Sequence, residues 1–306
     1  MSESLSFARS ESRPWTALAV ARRRLEGRPV LDLVAPLTLI LLLLYPVGPW
    51  ALSVALQLGA VAGLVYRPLQ RVSGYWLLLA VGMGTGCLLL WHDADNHKYL
   101  LTYWCLALGL SCGADDTAKA LRINAQLLIG LCFLWAVAWK LWSPNFLTGE
   151  FFEYAMLTDD RLFGLAQLFT DLTPDVYEHN RAAIDRLTAY SSTLDQVSLN
   201  GPARVHRLAQ VLTGWTIIIE GAVAVSFLWP RDSRGAAWAR NGSLLAFALT
   251  TYFATPVSGF AWVLLIMGIA QVRPERAWWR VAYLGGLVVV ILYRLDLVDL
   301  LLQALH

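Results

Sequence analysis

The chain has 306 residues, of which 57% are hydrophobic and only 15% charged, and its mean hydropathy is +0.52. Soluble domains carry about 25% charged residues, so this chain has too few charges to cover a surface that faces water. A formal charge of +2, with no basic tract beyond a short N-terminal arm, argues against nucleic-acid binding.

Residues 1–30 read as a cytoplasmic arm. Ser12 can cap a helix, Pro14 suits its first turn and Gly27 can end it. Trp15 and Leu18 share one face ahead of Arg22, Arg23 and Arg24, the pattern of an interfacial helix on anionic lipid. No small-residue cleavage site follows the next apolar stretch, so the arm does not read as a signal peptide. Residues 31–66 are apolar with Asp32 as the only charge, too long for one span. Pro46, Gly48 and Pro49 break the run, giving spans near 31–46 and 50–66. Further spans are expected near 74–91, 97–112, 123–142, 205–229, 236–254, 257–272 and 277–293. The fold class is therefore all-α: a polytopic helical membrane protein with about nine transmembrane helices and a long external loop of short helices. Five spans fall in 31–142, the loop in 143–203, and four spans with a short tail in 204–306.

Orientation follows from the cations. With the N-terminus inside, the segments holding Arg67 and Arg71, Lys119 and Arg122, Arg231 to Arg240, and Arg273 to Arg280 all fall on the cytoplasmic side, as positive-inside topology requires. The expected location is a bacterial inner membrane, with 143–203 external. Cys87, Cys105, Cys112 and Cys132 lie in apolar stretches without a C-x-x-C pair, so they read as small buried hydrophobes and no metal is expected.

The 143–203 loop carries nine acids against three arginines. It is also dense in apolar residues, from Phe146, Phe151 and Phe152 to Phe163 and Phe169, which a disordered loop would lack. It reads as short helices on the outer membrane surface, then a polar helix near 175–190, placed as a lid or a structural cap. Ionisable groups within spans are costly and so are functional candidates. Lys140, flanked by Trp135, Trp139 and Trp142, ends the fifth span, and Glu220 lies in the middle of the sixth. The two could pair, although the span boundaries set them at different depths. A second polar group, His92, Asp93, Asp95, Asn96 and His97, occupies the turn between spans three and four, on the same side as Lys140. Snorkelling of Lys140 to the headgroups and plain solvation of the Asp-His turn are the structural alternatives.

Two segments carry a resemblance. One is DNHKYL, Asp95 to Leu100; the other is RINAQLLIGLCFLWAVAWKLWSPNFLTG, Arg122 to Gly149. The Asn-His followed by Tyr and Leu at a span start, and the Lys-Leu at the end of an aromatic helix, resemble the membrane domain of the vitamin K-dependent γ-carboxylase family, found alone in bacteria as the HTTM domain. The resemblance implies a Lys general base at Lys140, with His97 supporting oxyanions and Asn96, Tyr99, Trp139, Trp142 and Glu220 around a substrate or quinol pocket. It implies a reduced, vitamin K-like quinone as cofactor, with oxygen and carbon dioxide if the reaction is carboxylase-like. The partners implied are membrane lipid, a lipophilic quinol and a peptide substrate. The residues after the last span, up to His306, do not replace the extramembrane domain with which the vertebrate carboxylase binds its propeptide. A quinol- or lipid-dependent oxidoreductase or lyase acting on another substrate is the expectation. A non-enzymatic factor in peptide-toxin maturation or immunity is the alternative. A transporter should show repeated halves, and none is visible.

Overall fold

A computed structural model describes residues 23, 25–92, 94–189, 197–231, 233–254 and 258–294. The interfacial helix expected over residues 12–27 lies, apart from its last few residues, outside them, as do Asp93 and the tail after Arg294. Among the described residues every regular element is helical. Nine helices make up the bundle: α1 (Leu31–Leu44), α2 (Trp50–Val65), α3 (Ser73–Leu89), α4 (Asn96–Cys112), α5 (Thr117–Trp142), α10 (Ala203–Leu228), α11 (Arg234–Ala254), α12 (Ser258–Gln271) and α13 (Trp278–Arg294). Between α5 and α10 lie three short ones, α6 (Pro144–Leu147), α7 (Glu150–Thr158) and α8 (Asp160–Thr170), and the 16-residue α9 (Pro174–Ala189).

Helix ends follow local chemistry. Pro46 and Pro49 cannot continue α1, and the chain reverses through Gly48 at φ 85°. The Asp116 carboxylate accepts the Lys119 backbone N–H at 2.9 Å and so caps α5. Asp159 does the same for α8, accepting from the Arg161 backbone N–H. Among the described residues only α5 and α10, 26 residues each, are both long and apolar enough to cross a membrane by themselves. At 1.5 Å per residue each is about 39 Å long. Helices α1, α2 and α3, with the apolar parts of α12 and α13, are shorter apolar helices, roughly 20–26 Å long.

Helix α12 is the axis of the bundle. It packs on α1, α4, α5, α11 and α13, and every residue from Ala261 to Val272 is buried. An all-round apolar helix belongs in an interior. The peripheral helices instead turn apolar stripes outward. Leu58, Val61 and Val65 on α2, Leu78, Val81 and Leu88 on α3, and Val211, Ile218 and Val225 on α10 are all exposed at helical spacing. Exposed apolar area on that scale marks a surface that meets something other than water.

The loop helices form a small second core at one end of the bundle. Met156, Leu157, Leu162, Ala166, Leu172 and Tyr177 close on Val205 and Ala209, from the first turns of α10. Asn180, fully buried, donates to the Asn200 carbonyl at 2.7 Å and accepts the Asn200 N–H at 2.9 Å, fastening α9 to the chain just before α10.

Candidate functional site

Lys140 and Glu220 meet. The ammonium lies 2.6 Å from Oε1 and 2.5 Å from Oε2 of the carboxylate, bridging the two membrane-length helices α5 and α10. Glu220 is 6% exposed. The apparent difference in depth is closed by side-chain direction. In a helix the Cα–Cβ bond tilts toward the N-terminus. Helices α5 and α10 run antiparallel, for Gly130 on α5 packs against Leu228 and Phe227 near the end of α10. Lys140, near the end of α5, therefore leans back into the bundle while Glu220 leans out toward the loop end. The first turns of α10 also stand within the loop core, so Glu220 lies nearer the bundle mouth than its place in the sequence suggests.

A carboxylate or ammonium alone in such surroundings would be strongly destabilising, and pairing offsets that cost. The Phe146 ring, from the first turn after α5, lies 5.5 Å from Nζ and covers it. Cys132, two turns earlier on α5, and Tyr252, near the end of α11, are within electrostatic reach of the pair.

His97 sits in the first turn of α4, buried, with the Tyr45 ring edge-on at 5.2 Å and the Gly259 backbone against its ring. Among the described residues neither ring nitrogen has a hydrogen-bond partner, and the Asp95 carboxylate is 3.9 Å from Nδ1. The Tyr252 hydroxyl and the Trp262 indole N–H are likewise buried and without partners among the described residues. These groups are linked through the first turn of α12. Its Gly259 touches His97, and the ring of Phe260 stands 6.5 Å from Phe133, two turns before Lys140 on α5. Phe133 in turn meets Phe247 at 4.6 Å, and Phe247 meets Tyr252 at 6.0 Å. Lys140 and His97 thus lie on two sides of one apolar wall at the loop end of the bundle.

The expected pocket residues divide. Glu220 joins Lys140 directly. Trp139 and Trp142 do not line the site. They are 79% and 87% exposed, because α5 turns them with Trp135 to its outward face, away from Lys140. Asn96 is exposed, and Tyr99 is half-buried with its hydroxyl 3.5 Å from the Trp91 carbonyl. Among the described residues no group of three His, Cys, Asp or Glu could hold a metal.

A cavity of about 270 Å³ is lined by Pro46, Val47, Gly48, Trp50, Ser53, Gly86, Cys87, Leu90, Ala94 and Lys98, and His97 itself is not among these residues. Its lining is mostly apolar, as in sites for lipophilic ligands. Sequence reading treated Pro46–Pro49 only as a helix break. The signal available was the pairing of Gly48 with Gly86: a β-carbon on Gly48 would meet the Gly86 Cα at 2.6 Å, so the turn rests directly on α3. Tyr252 and Trp262 were also missed. Each is a polar-tipped aromatic inside an apolar run, which is a weak signal. No family model, curated protein or solved structure matches the chain.

Proposed function

We propose that all nine bundle helices cross a bilayer, with the N-terminus cytoplasmic and the 143–203 segment outside, and that Lys140 and Glu220 are the proton-handling centre of an enzyme acting on a lipophilic substrate at the outer face. The outward apolar stripes of α2, α3 and α10 support the membrane placement. The short helices suit it if the bilayer thins locally or their flanking residues reach to the headgroups.

The ion pair carries the functional reading. A single proton transfer interconverts this ion pair and a neutral amine–acid pair, and the two groups are held in contact where water is scarce. Lys140 can pass its ammonium proton to a Glu220 carboxylate oxygen and, as the neutral amine, accept a proton from the substrate, whose negative charge then faces the re-formed ammonium. The unpartnered His97 nitrogens, the Tyr252 hydroxyl and the Trp262 N–H fit a ligand with oxygen at its polar end. By its resemblance to the HTTM and γ-carboxylase membrane domain, the chain would take a reduced quinone there. When bound, that group would supply the acidic hydroxyl and, with oxygen, the strong base of the chemistry. His97, Tyr252 and Trp262 would orient it, and Phe146 would keep water from Lys140.

The test is extraction of the purified protein and mass spectrometry of its lipophilic content, with and without Lys140→Arg. A stoichiometric quinone is expected in the unaltered protein. The Arg variant should fold but lose activity, because a guanidinium cannot exchange a proton near neutral pH. A second reading, a non-enzymatic membrane factor in peptide-toxin maturation or immunity, is favoured by one observation: the Lys140 ammonium is already engaged by Glu220. Full biological activity of Lys140→Arg would establish it.

A further inference from the structure

At the end of the bundle opposite the loop, four arginines converge on one recess. Arg122 comes from α5, Arg240 from α11, and Arg273 and Arg276 from the turn between α12 and α13. Gln126 and Trp279 are also in the wall, and among the described residues no acidic one lines it. Arg240 is 4% exposed and Arg122 and Arg276 are half-buried, so these three are set into the fold, with the exposed Arg273 at the rim. The recess is small, about 10 Å³, room for roughly one water-sized group. One oxygen of a larger anion fits, with the remainder outside.

We propose that this recess holds the phosphate of an anionic phospholipid headgroup. Guanidinium groups match phosphate by geometry as well as charge. Arg240, Arg273 and Arg276 have protein contacts of their own, but five N–H donors per guanidinium leave capacity for a shared anion. Basic pockets between helices on the cytoplasmic side are where acidic lipids bind.

The surroundings favour a lipid over a free anion. Trp279 in the wall stacks on Trp278 at 3.7 Å and meets Trp238 at 4.9 Å, and these two partners are exposed. Tryptophans of this kind sit at headgroup depth. Below them the exposed Val288, Val289 and Leu292 continue along α13 as a track for an acyl chain. The proposal shares the membrane placement argued above but not the proton chemistry of Lys140 and Glu220, which lies at the other end.

The experiment uses the full chain purified in detergent. Its Tm and its retained lipid, by native mass spectrometry, are compared after adding phosphatidylglycerol, phosphatidylcholine or inorganic phosphate. Phosphatidylglycerol alone should raise Tm and remain bound. Arg122→Gln combined with Arg276→Gln should reduce its retention at least tenfold. Arg234→Gln, an exposed arginine at the same end but outside the recess, should leave retention unchanged. If the double variant does not fold, Arg273→Gln, which alters an exposed side chain of the recess, takes its place. An equal response to phosphatidylcholine, an equal response to phosphate, or equal loss in Arg234→Gln overturns the lipid site. None of these outcomes bears on membrane insertion, which the need for detergent reports separately.

Discussion

The ring of His97 lies so close to Gly259 that a β-carbon on the glycine would fall 2.8 Å from Cδ2 and 2.9 Å from Nε2. The absence of a side chain at 259 is therefore what seats His97 between α4 and α12. Gly259→Ala is expected to destabilise the protein by about 1–3 kcal/mol, the usual cost of overpacking, seen as a lower Tm in detergent. Adding His97→Ala should restore part of that loss, since it removes the atoms in the way. If the two costs simply add, the contact does not limit the site.

The pair between α5 and α10 should respond to charge more than to shape. Glu220→Gln keeps an acceptor oxygen within reach of Nζ and should fold, with stability lower by roughly 1–3 kcal/mol. Glu220→Arg brings two cations to one buried point and should fail to accumulate in membranes. Lys140→Met leaves the carboxylate alone and should cost about 3–5 kcal/mol, and a double Lys140→Met, Glu220→Gln variant should recover much of it. Thermal melts of the four proteins decide the matter. An Arg variant at 220 as stable as the parent would mean that the side chain does not stay buried.

The loop helices carry their own pH dependence. The Arg161 guanidinium beside Asp159 holds its carboxyl below the ordinary value of 3.8. A lowered folded value adds stability above the unfolded value and loses it as pH falls through the folded one. The start of α8 should therefore stay closed at pH 4 and open only in stronger acid. Tyr177, buried and hydrogen-bonded to Asp160, is pushed up from 10.0 to about 12. Its contribution is complete below pH 10 and is lost as pH rises toward 12. Limited proteolysis across pH should show resistance between these limits. Asp159→Asn should remove the acid-side step.

Topology can be read with single cysteines in a background lacking Cys87, Cys105, Cys112 and Cys132. A cysteine at Glu178, exposed on α9, should react with a membrane-impermeant maleimide on intact cells. One at Arg234, exposed at the opposite end, should react only after permeabilisation. The reverse pattern would invert the orientation.

Much of the backbone was legible in advance because its punctuation is strong. The Pro46–Pro49 break separates α1 from α2 where it was expected, and the polar helix expected near 175–190 is Pro174–Ala189. The site was legible only in its individual residues. Lys140 and Glu220 stood out as charges in apolar runs, but counting residues along each span set them apart. What joins them is the opposed tilt of side chains on antiparallel helices, together with the extension of α10 into the loop. Trp139 and Trp142 misled for a related reason: neighbours in sequence lie about 100° apart around a helix, so flanking Lys140 does not mean facing what it faces. Nor could composition tell α12 from the outward-facing helices. An apolar residue reads the same whether it meets lipid or protein.

The burial of α12 sets a demand on biosynthesis. Chains emerge N-terminus first, and α12 is the next-to-last of the bundle helices. Its neighbours α1, α4 and α5 precede it by more than a hundred residues, yet it lies between them and α11 and α13. In the proposed bilayer setting, those earlier helices would enclose a lipid-filled gap until it arrives, and the last helix pair would displace that lipid to enter. His97 and Phe133 meet Gly259 and Phe260 only at that step, so the two sides of the candidate site come together near the end of assembly. A chain stopped after α11 would carry Lys140, Glu220 and Tyr252 but no finished site.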